Sequence, residues 1–402
     1  MRICVMIAAS CMLAGPALAG WVPLNPGTTT DIEDVCFPVD AVTGYAVCGA
    51  HAIKTTDGGV TWDSLPGPDM WTLTAVYFPE DVMTGFAVAS GGKIDKTTDG
   101  GSTWVRESSG VTLDLRSICF PVDAQTGYVC GGDAGEAVML KTTDGGGTWV
   151  RLTVNAAQPI EAVSFPVDDR TGFAAGWAGV LLKTTDGGST WDSVLHGYAN
   201  DFSSISFPTD TIIGYVVGSG GTVLKTTNSG ATWTPQPTGG SDYLTSVDFP
   251  TGDTGYVAGA SGSVFKTTNG GDTWVKQVSG TSDFLYAVQF PIGTQIGYAV
   301  GRNGTIIKTT DGGTGVEEAP PRPVWAAEAN APTIIRGVLV LGAVGSRQNT
   351  ECRADLLDVS GRAVLALKPG PNDVSHLAPG VYFVHPSIAD RDSSMSKVIV
   401  TR

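Results

Sequence analysis

One phrase constrains this chain more than any other feature. KTTDGGVTW opens at Lys54, and variants open at Lys96, Lys141, Lys183, Lys225, Lys266 and Lys308, spaced 41 to 45 residues apart. A period of about 42 residues accommodates four short strands and their turns, the unit of a radial propeller. Residues 244–274 show one unit in full. Leu244 to Phe249 alternates as a strand, Pro250 opens a turn, Gly255 to Gly259 is a second strand, Ser263 to Lys266 a third, and Thr273-Trp274 begins a fourth. The first strand recurs at Ile32, Leu73, Leu115, Ile160, Phe202, Leu244 and Leu285, so an all-β, seven-bladed propeller is expected.

The seventh phrase is incomplete. After Asp311-Gly312-Gly313 comes Thr314-Gly315-Val316, with no tryptophan and no strand pattern, which leaves the last blade with an open edge. Trp62, Trp104, Trp149, Trp191, Trp233 and Trp274 each stand 11 residues before the next first strand, and Trp21 stands 11 residues before Ile32. The register therefore predicts that residues 20–25 supply the missing outer strand, so that the propeller is closed by the N-terminal strand.

Composition narrows the setting. A formal net charge of -15 disfavours nucleic acid and anionic membrane surfaces and favours neutral or cationic partners. Residues 1–19 read as a signal peptide: Arg2 is the positive start, Ile3 to Leu13 the apolar run, and Ala17-Leu18-Ala19 the cleavage site before Gly20. No later segment is long and apolar enough to span a bilayer. The mature chain is expected to be secreted or held at a bacterial cell surface, where disulfides are allowed. Cys36 and Cys48 flank one hairpin, and Cys119 and Cys130 another, so two states stand open for each pair: a cross-strand bridge or buried free thiols.

The repeated phrase resembles the Asp-box, or BNR repeat, of sialidases, sortilin-like receptors and photosystem II assembly factors. Its residues have turn chemistry: a side-chain oxygen at Asp57, Asp99, Asp144, Asp186, Asn228, Asn269 and Asp311 accepts backbone N–H groups, glycine takes positive φ, and the tryptophan covers the hairpin. Asn228 and Asn269 keep the acceptor and lose the charge, which suits a fastener and not a catalytic acid. The phrase lysines are expected to pair within their blades with the aspartates that follow each Phe-Pro, such as Asp40, Asp81 and Asp123.

A sialidase resemblance would imply three arginines gripping a carboxylate. Arg106 and Arg151 follow blade tryptophans on outer strands and Arg170 lies in a turn on the Asp-box face, leaving Arg116 and Arg302 for the opposite mouth. The alternative of a two-carboxylate glycoside hydrolase rests on Glu33 and Glu161, which hold the same place in blades one and four. His51, His196, His376 and His385 have no metal-ligand spacing, and no phosphate-binding loop is present, so no metal and no cofactor is expected. A binding surface is expected on the face opposite the Asp-boxes, where Trp71, Trp177, Tyr198, Tyr243 and Phe284 map and where the insertion Gly131 to Val138 falls. Aromatic loop residues suit a protein or carbohydrate partner.

The propeller, residues 20–314, gives way to a Pro-rich linker over 315–331 and a smaller β-sandwich over 332–402. Val359 to Arg362, Leu377 to Phe383 and Lys397 to Val400 resemble the C-terminal sorting domain of type IX secretion cargo, which implies contact with secretion machinery. Gly297 to Gly301 followed by Gly304 to Gly313 resembles the photosystem II stability and assembly factor family. That family implies an assembly chaperone with an arginine-rich patch, which the scattered arginines here do not reproduce. The expectation is a non-enzymatic propeller acting as a protein- or glycan-binding or assembly module.

Overall fold

The computed structural model describes residues 20–66 and 71–314, together with strands and short stretches between 333 and 400. The signal-peptide and linker expectations lie outside the described residues. The chain forms two compact units, Met1–Glu317 and Glu318–Arg402.

Seven four-stranded sheets make up the first unit. Blade 1 runs Ile32–Cys36, Gly44–Cys48, His51–Thr55 and Asp63–Ser64 from inner to outer strand, and five further blades repeat that order in sequence. The seventh takes Leu285–Ile292, Ile296–Gly301 and Ile306–Thr309 from the end of the unit and its outer strand, Val22–Leu24, from the beginning. Val22 lies opposite Lys308 and Leu24 opposite Ile306, antiparallel. The outer strands begin one residue after each tryptophan and not at it, because the indole turns inward over the hairpin while the strand proper starts at the exposed residue beyond, as at Val275 and Val105.

Aromatic packing explains the Phe-Pro, the Gly and the Trp of every unit together. Phe37 meets Trp62 of its own blade edge-on at 6.2 Å and stacks on Tyr298 of the preceding blade at 4.0 Å. The same sandwich recurs around the ring, ending with Phe290 between Tyr256 at 3.6 Å and Trp21 at 5.9 Å. The phenylalanine ring lies so close to the first glycine of the second strand that a Cβ on Gly44 would sit 2.4 Å from Phe37, and one on Gly297 would sit 2.3 Å from Phe290. Trp21 is fully buried, as the seventh member of this set.

The Asp-box closes each third-to-fourth strand turn by hydrogen bonds. Asp57 Oδ1 accepts from the Thr55 hydroxyl at 2.8 Å and the Thr61 N–H at 2.9 Å, and Oδ2 accepts from the Thr61 hydroxyl at 2.7 Å. Asn228 keeps both Oδ1 bonds and turns the third around, its Nδ2 donating to Thr232. The second glycine, Gly59 with φ +86°, faces Leu24 so closely that a Cβ would lie 2.8 Å from it.

The phrase lysines do not pair within the blade. Lys54 Nζ donates to the Gly100 carbonyl in the next Asp-box at 3.0 Å, and Lys308 donates to the Gly58 carbonyl at 2.7 Å across the closure from blade 7 to blade 1. Lys225 is the variant, meeting Asp272 of the next box at 3.1 Å. The aspartates expected as their partners cap their own turns instead: Asp40 Oδ1 accepts the N–H groups of Val42 and Thr43 at 2.8 and 2.9 Å. Two backbone donors two and three residues on are nearer than any lysine head.

The four described cysteines, Cys36, Cys48, Cys119 and Cys130, are free thiols. Cys36 pairs in register with Tyr45 and Cys48 with Ile32, and the two side chains pack into different core clusters on opposite faces of the sheet, so the expected bridge has no geometry. Cys119 lies opposite Tyr128 and Cys130 opposite Ser117, a diagonal offset on one face, also unbridged.

In the second unit, the described strands form a five-stranded sheet in the order Thr333–Ile335, Ser396–Val400, Gly380–Pro386, Ala354–Leu357, Ala363–Leu367, and Val338–Leu341 pairs with Gly370–Asp373. Among the described residues, no helix is long and apolar enough to cross a membrane.

Two expectations test this packing. Trp21→Ala is expected to cost about 3–5 kcal/mol, read as a lower urea midpoint, because it opens both a core and the ring; an unchanged midpoint would refute closure by the N-terminal strand. Blade 2 carries Asp95 where five other blades have a buried leucine or isoleucine and blade 6 has Phe265, and Arg106 on the outer strand pairs with it. Arg106→Leu takes the arginine away from a buried carboxylate and is expected to cost about 3–5 kcal/mol, whereas Asp95→Leu with Arg106→Leu is expected to restore most of that loss.

Candidate functional site

Every inner strand breaks register at its second residue: the pairing skips from Ile32 to Asp34 in blade 1 and likewise in the other six. A bulge of this kind re-aims one side chain. The seven bulge residues are Glu33, Thr74, Arg116, Glu161, Ser203, Thr245 and Tyr286. They stand at the end of the ring opposite the Asp-boxes, beside the turns between second and third strands, and their chemistry differs from blade to blade while the rest of the unit repeats.

From blade 3 round to blade 1 these residues and their neighbours form an arc. The Arg116 guanidinium lies 5.3 Å from the Trp177 ring and 3.3 Å from Glu161. The Ser203 hydroxyl donates to the Tyr243 phenol oxygen at 2.9 Å; Tyr243 lies 6.1 Å from Phe284, and Phe284 5.2 Å from Tyr286. Arg302 covers Phe284 at 5.7 Å, and the Tyr286 hydroxyl donates to Asp31 at 3.3 Å. Burial pushes the Glu161 carboxyl up against the pull of Arg116, and it pushes the Tyr243 phenol up, with Glu161 and Asp201 adding to the rise. Glu33 is likewise raised by burial and by Asp31, opposed by Arg302.

Three of the five aromatic residues expected to form a binding surface, Trp177, Tyr243 and Phe284, belong to this arc. Trp71 lies apart on the blade 1–2 connection, half-exposed, with Lys93 4.9 Å over its ring. Tyr198 packs on His196, whose Nε2 lies 2.9 Å from the Gly179 carbonyl oxygen, and borders a shallow groove of about 350 Å³. Glu33 and Glu161 occupy blades 1 and 4, almost opposite in a ring of seven; Glu161 pairs with Arg116, whereas Arg302 near Glu33 pairs with Asp31. The insertion at Gly131 to Val138 extends a hairpin tipped by Asp133 opposite Glu136, with Arg151 bonded to Glu136 at 2.7 Å. Asp31, Ser203 and Tyr286 were not singled out from sequence, although aligning the seven units on the bulge position exposes Ser203 and Tyr286. Among the described residues, no group of His, Cys, Asp and Glu is placed to hold a metal ion.

The geometry now stands beside known proteins. A family model described as Photosynthesis system II assembly factor YCF48 matches residues 111–197, 156–239 and 197–280, that is, blades 3 to 6 in overlapping windows. Two solved structures superpose over 72% of the chain. The propeller's fold is that of YCF48. One structure, titled "YCF48 bound to D1 peptide", has a TM-score of 0.60 at 19% identity and covers 72% of this chain and 97% of its own. The other, YCF48 from Cyanidioschyzon merolae, has a TM-score of 0.58 at 21% identity, with 72% and 98% covered. No curated protein matches the chain by sequence.

Below the mouth, inner strands are tied to one another by side chains. Asp34 accepts the Val76 N–H of the next blade at 3.0 Å, and Asp248 accepts the Phe290 N–H at 2.6 Å. Burial pushes Asp34 up to about 7 and Asp248 up to about 6, in each case against two backbone N–H groups that pull downward. Both carboxyls hold protons more tightly folded than unfolded, so the stability they confer is complete below the ordinary carboxylate range and is lost as pH rises through about 6 to 7. The Tm of the wild-type chain is expected to fall between pH 5 and 8. In Asp34→Ser with Asp248→Ser, that fall is expected to flatten, because serine holds the equivalent positions at Ser204 and Ser206; an unaltered profile would assign the pH dependence elsewhere.

Proposed function

We propose that the chain is an exported, non-enzymatic propeller that binds a segment of a partner protein at the mouth lined by the inner-strand bulges. The observation that carries this reading is the arc from Trp177 through Tyr243 and Phe284 to Asp31. Tyr243, Phe284 and Tyr286 adjoin one another in it, and Trp177 stands by the Arg116–Glu161 pair whose charges reach Tyr243, at the one end of the ring where the repeats diverge. Aromatic and arginine side chains on a rigid frame are what protein recognition sites concentrate. A structure of the same fold is titled as bound to a peptide, which supports a protein partner over a glycan. Export rests on the N-terminal leader pattern, and the C-terminal strands support a β-sandwich with the sorting role that its motifs resemble.

The test is selection of binding peptides from a random displayed library on the full chain, followed by affinity measurement on mouth variants. Tyr243→Ala with Phe284→Ala is expected to weaken the selected peptides at least tenfold, while Trp71→Ala leaves them unchanged. Equal binding by all variants would remove the mouth as the site. The hydrolase reading has one favourable observation, the two raised carboxyls Glu33 and Glu161. Turnover on a polysaccharide panel that Glu33→Gln or Glu161→Gln abolishes would replace the binding reading with that one. Fractionation of the producing cells, with the mass of the mature chain, tests export and the fate of residues beyond the linker.

A further inference from the structure

The end of the ring that carries the Asp-boxes is more than a set of fasteners. Each turn between first and second strands lies against its own Asp-box, as the Gly58 N–H to Val42 carbonyl bond of 2.8 Å and the Gly100 N–H to Met83 carbonyl bond of 2.9 Å show. The residue after Phe-Pro is an exposed aliphatic in four blades: Val39 is 54% exposed, Val122 62%, Val167 52% and Ile292 56%. Val42, Met83 and Ile212, three residues further along in blades 1, 2 and 5, are exposed as well. These turns follow the innermost strands, so the aliphatic positions are set in a ring about the axis, with a gap at blade 6, where Thr251 follows the proline. Solvent-facing turns have no packing reason to repeat large aliphatics, and a recurrent apolar surface of this kind marks contact with something else.

Charge says what that partner is. The same turns carry Asp40, Asp81, Asp123, Asp168 and Asp210, and the neighbouring boxes carry Asp57, Asp99, Asp144, Asp186 and Asp311. Asp40 and Asp123 are held below the usual carboxylate range by two backbone N–H groups each, and Asp57 is drawn down to about 2 by the Thr61 hydroxyl and N–H. The cations at this end do not offset them in solvent. Six of the seven phrase lysines donate to glycine or serine carbonyls of the next blade with their stems half-buried, and Lys225 is held by Asp272. Arg170 is the other cation of these turns among the described residues.

We infer that the Asp-box end is a second docking surface, whose aliphatic annulus and surrounding carboxylates take a basic amphipathic segment of a partner protein. The apolar face of such a segment covers the valines while its lysines or arginines meet the aspartates. A second copy of this chain is disfavoured because two such faces would oppose carboxylate to carboxylate, and an anionic membrane is disfavoured for the same reason. This surface is independent of the mouth on the other side of the ring.

The repeats themselves provide the charge-removal test. Asn228 and Asn269 keep the Oδ1 bonds of the box, so Asp57→Asn, Asp99→Asn, Asp144→Asn and Asp186→Asn together remove four charges without undoing the turns. The probe is a synthetic 18-residue amphipathic helix of leucine and lysine, compared with its leucine and glutamate counterpart, titrated by fluorescence anisotropy into the full chain. The lysine peptide is expected to bind, more weakly as salt is raised, and the glutamate peptide not to bind. The four-asparagine variant is expected to lose at least tenfold in affinity with an unchanged Tm. Val39→Ser with Val122→Ser and Val167→Ser is expected to lose a similar factor, whereas Tyr243→Ala with Phe284→Ala at the mouth is expected to lose nothing. Full affinity in both Asp-box-end variants, equal binding of the glutamate peptide, loss confined to the mouth variant, or preferential binding to phosphatidylserine vesicles would each overturn the inference. Because mouth and Asp-box end are probed by separate variants, failure here leaves the peptide-binding mouth untouched.

Discussion

The propeller depends on the grip that each blade has on one phenylalanine of the next. Phe78 is stacked by Tyr45 of the blade before it at 3.8 Å, met edge-on by its own Trp104 at 6.4 Å, and pressed onto the bare backbone of Gly85. Offset-stacked and edge-to-face contacts of this kind add to the area the rings bury, and each joins two blades at once. The same tyrosine reaches with its hydroxyl to the Val82 carbonyl oxygen of the next blade at 2.6 Å, and Lys54 beside it donates to the Gly100 carbonyl. Tyrosine, lysine, phenylalanine, glycine and tryptophan are therefore one interblade joint, repeated until it closes on itself, with Phe86 and Phe173 in the tyrosine's place in blades 2 and 4. Closure requires that the last joint be made by residues from the first end of the chain. Trp21 completes it against Phe290, and Lys308 with Tyr298 completes it against Gly58.

With the frame carried by this joint, the ends of the blades are free to differ. At one end the bulges aim Glu33, Arg116, Glu161, Ser203 and Tyr286 into a common mouth, because a bulge displaces a side chain without disturbing the strands beyond it. At the other end the turns repeat an aliphatic and an aspartate. The lysines that look in sequence like a cationic ring are occupied between blades and leave that end acidic. The raised carboxyls of Asp34 and Asp248 lie between these two ends, Asp34 where Ser204 and Ser246 accept an interblade N–H and Asp248 where Gln289 accepts one. Substituting a carboxyl for a hydroxyl or an amide there makes part of the ring's cohesion depend on protonation.

Much of the fold was legible because the joint is written as a periodic pattern. The Phe-Pro, Gly-Tyr, Lys-Thr-Thr-Asp-Gly-Gly and Trp elements keep their spacing, and the 11-residue interval from tryptophan to first strand placed Trp21 in the last blade. Less of the candidate site was legible. Trp177, Tyr243 and Phe284 converge, whereas Trp71 and Tyr198, equally aromatic and also in loops, are held apart by Lys93 and His196. The lysine partners were misplaced because an aspartate in the same blade, as Asp40 is for Lys54, is nearer in sequence than a glycine carbonyl 46 residues on in the next. The cysteine hairpins misled for a related reason: flanking a turn does not make two side chains direct cross-strand partners, since Cys36 and Cys48 fall on opposite faces and Cys119 and Cys130 are offset diagonally on one.

The sequence by itself determined the number of blades, the turn chemistry of the Asp-boxes and the strand that closes the ring. Each follows from local pattern and period, which backbone geometry converts directly into strands and turns. Only the tertiary structure decided which side chains meet across blades. Those meetings join residues about 40 to 250 positions apart, whose proximity depends on the angle between sheets and on the bulge at each inner strand. Lys54 to Gly100, Arg116 to Trp177 and Tyr286 to Asp31 belong to that class, and so does the acidity of the Asp-box end.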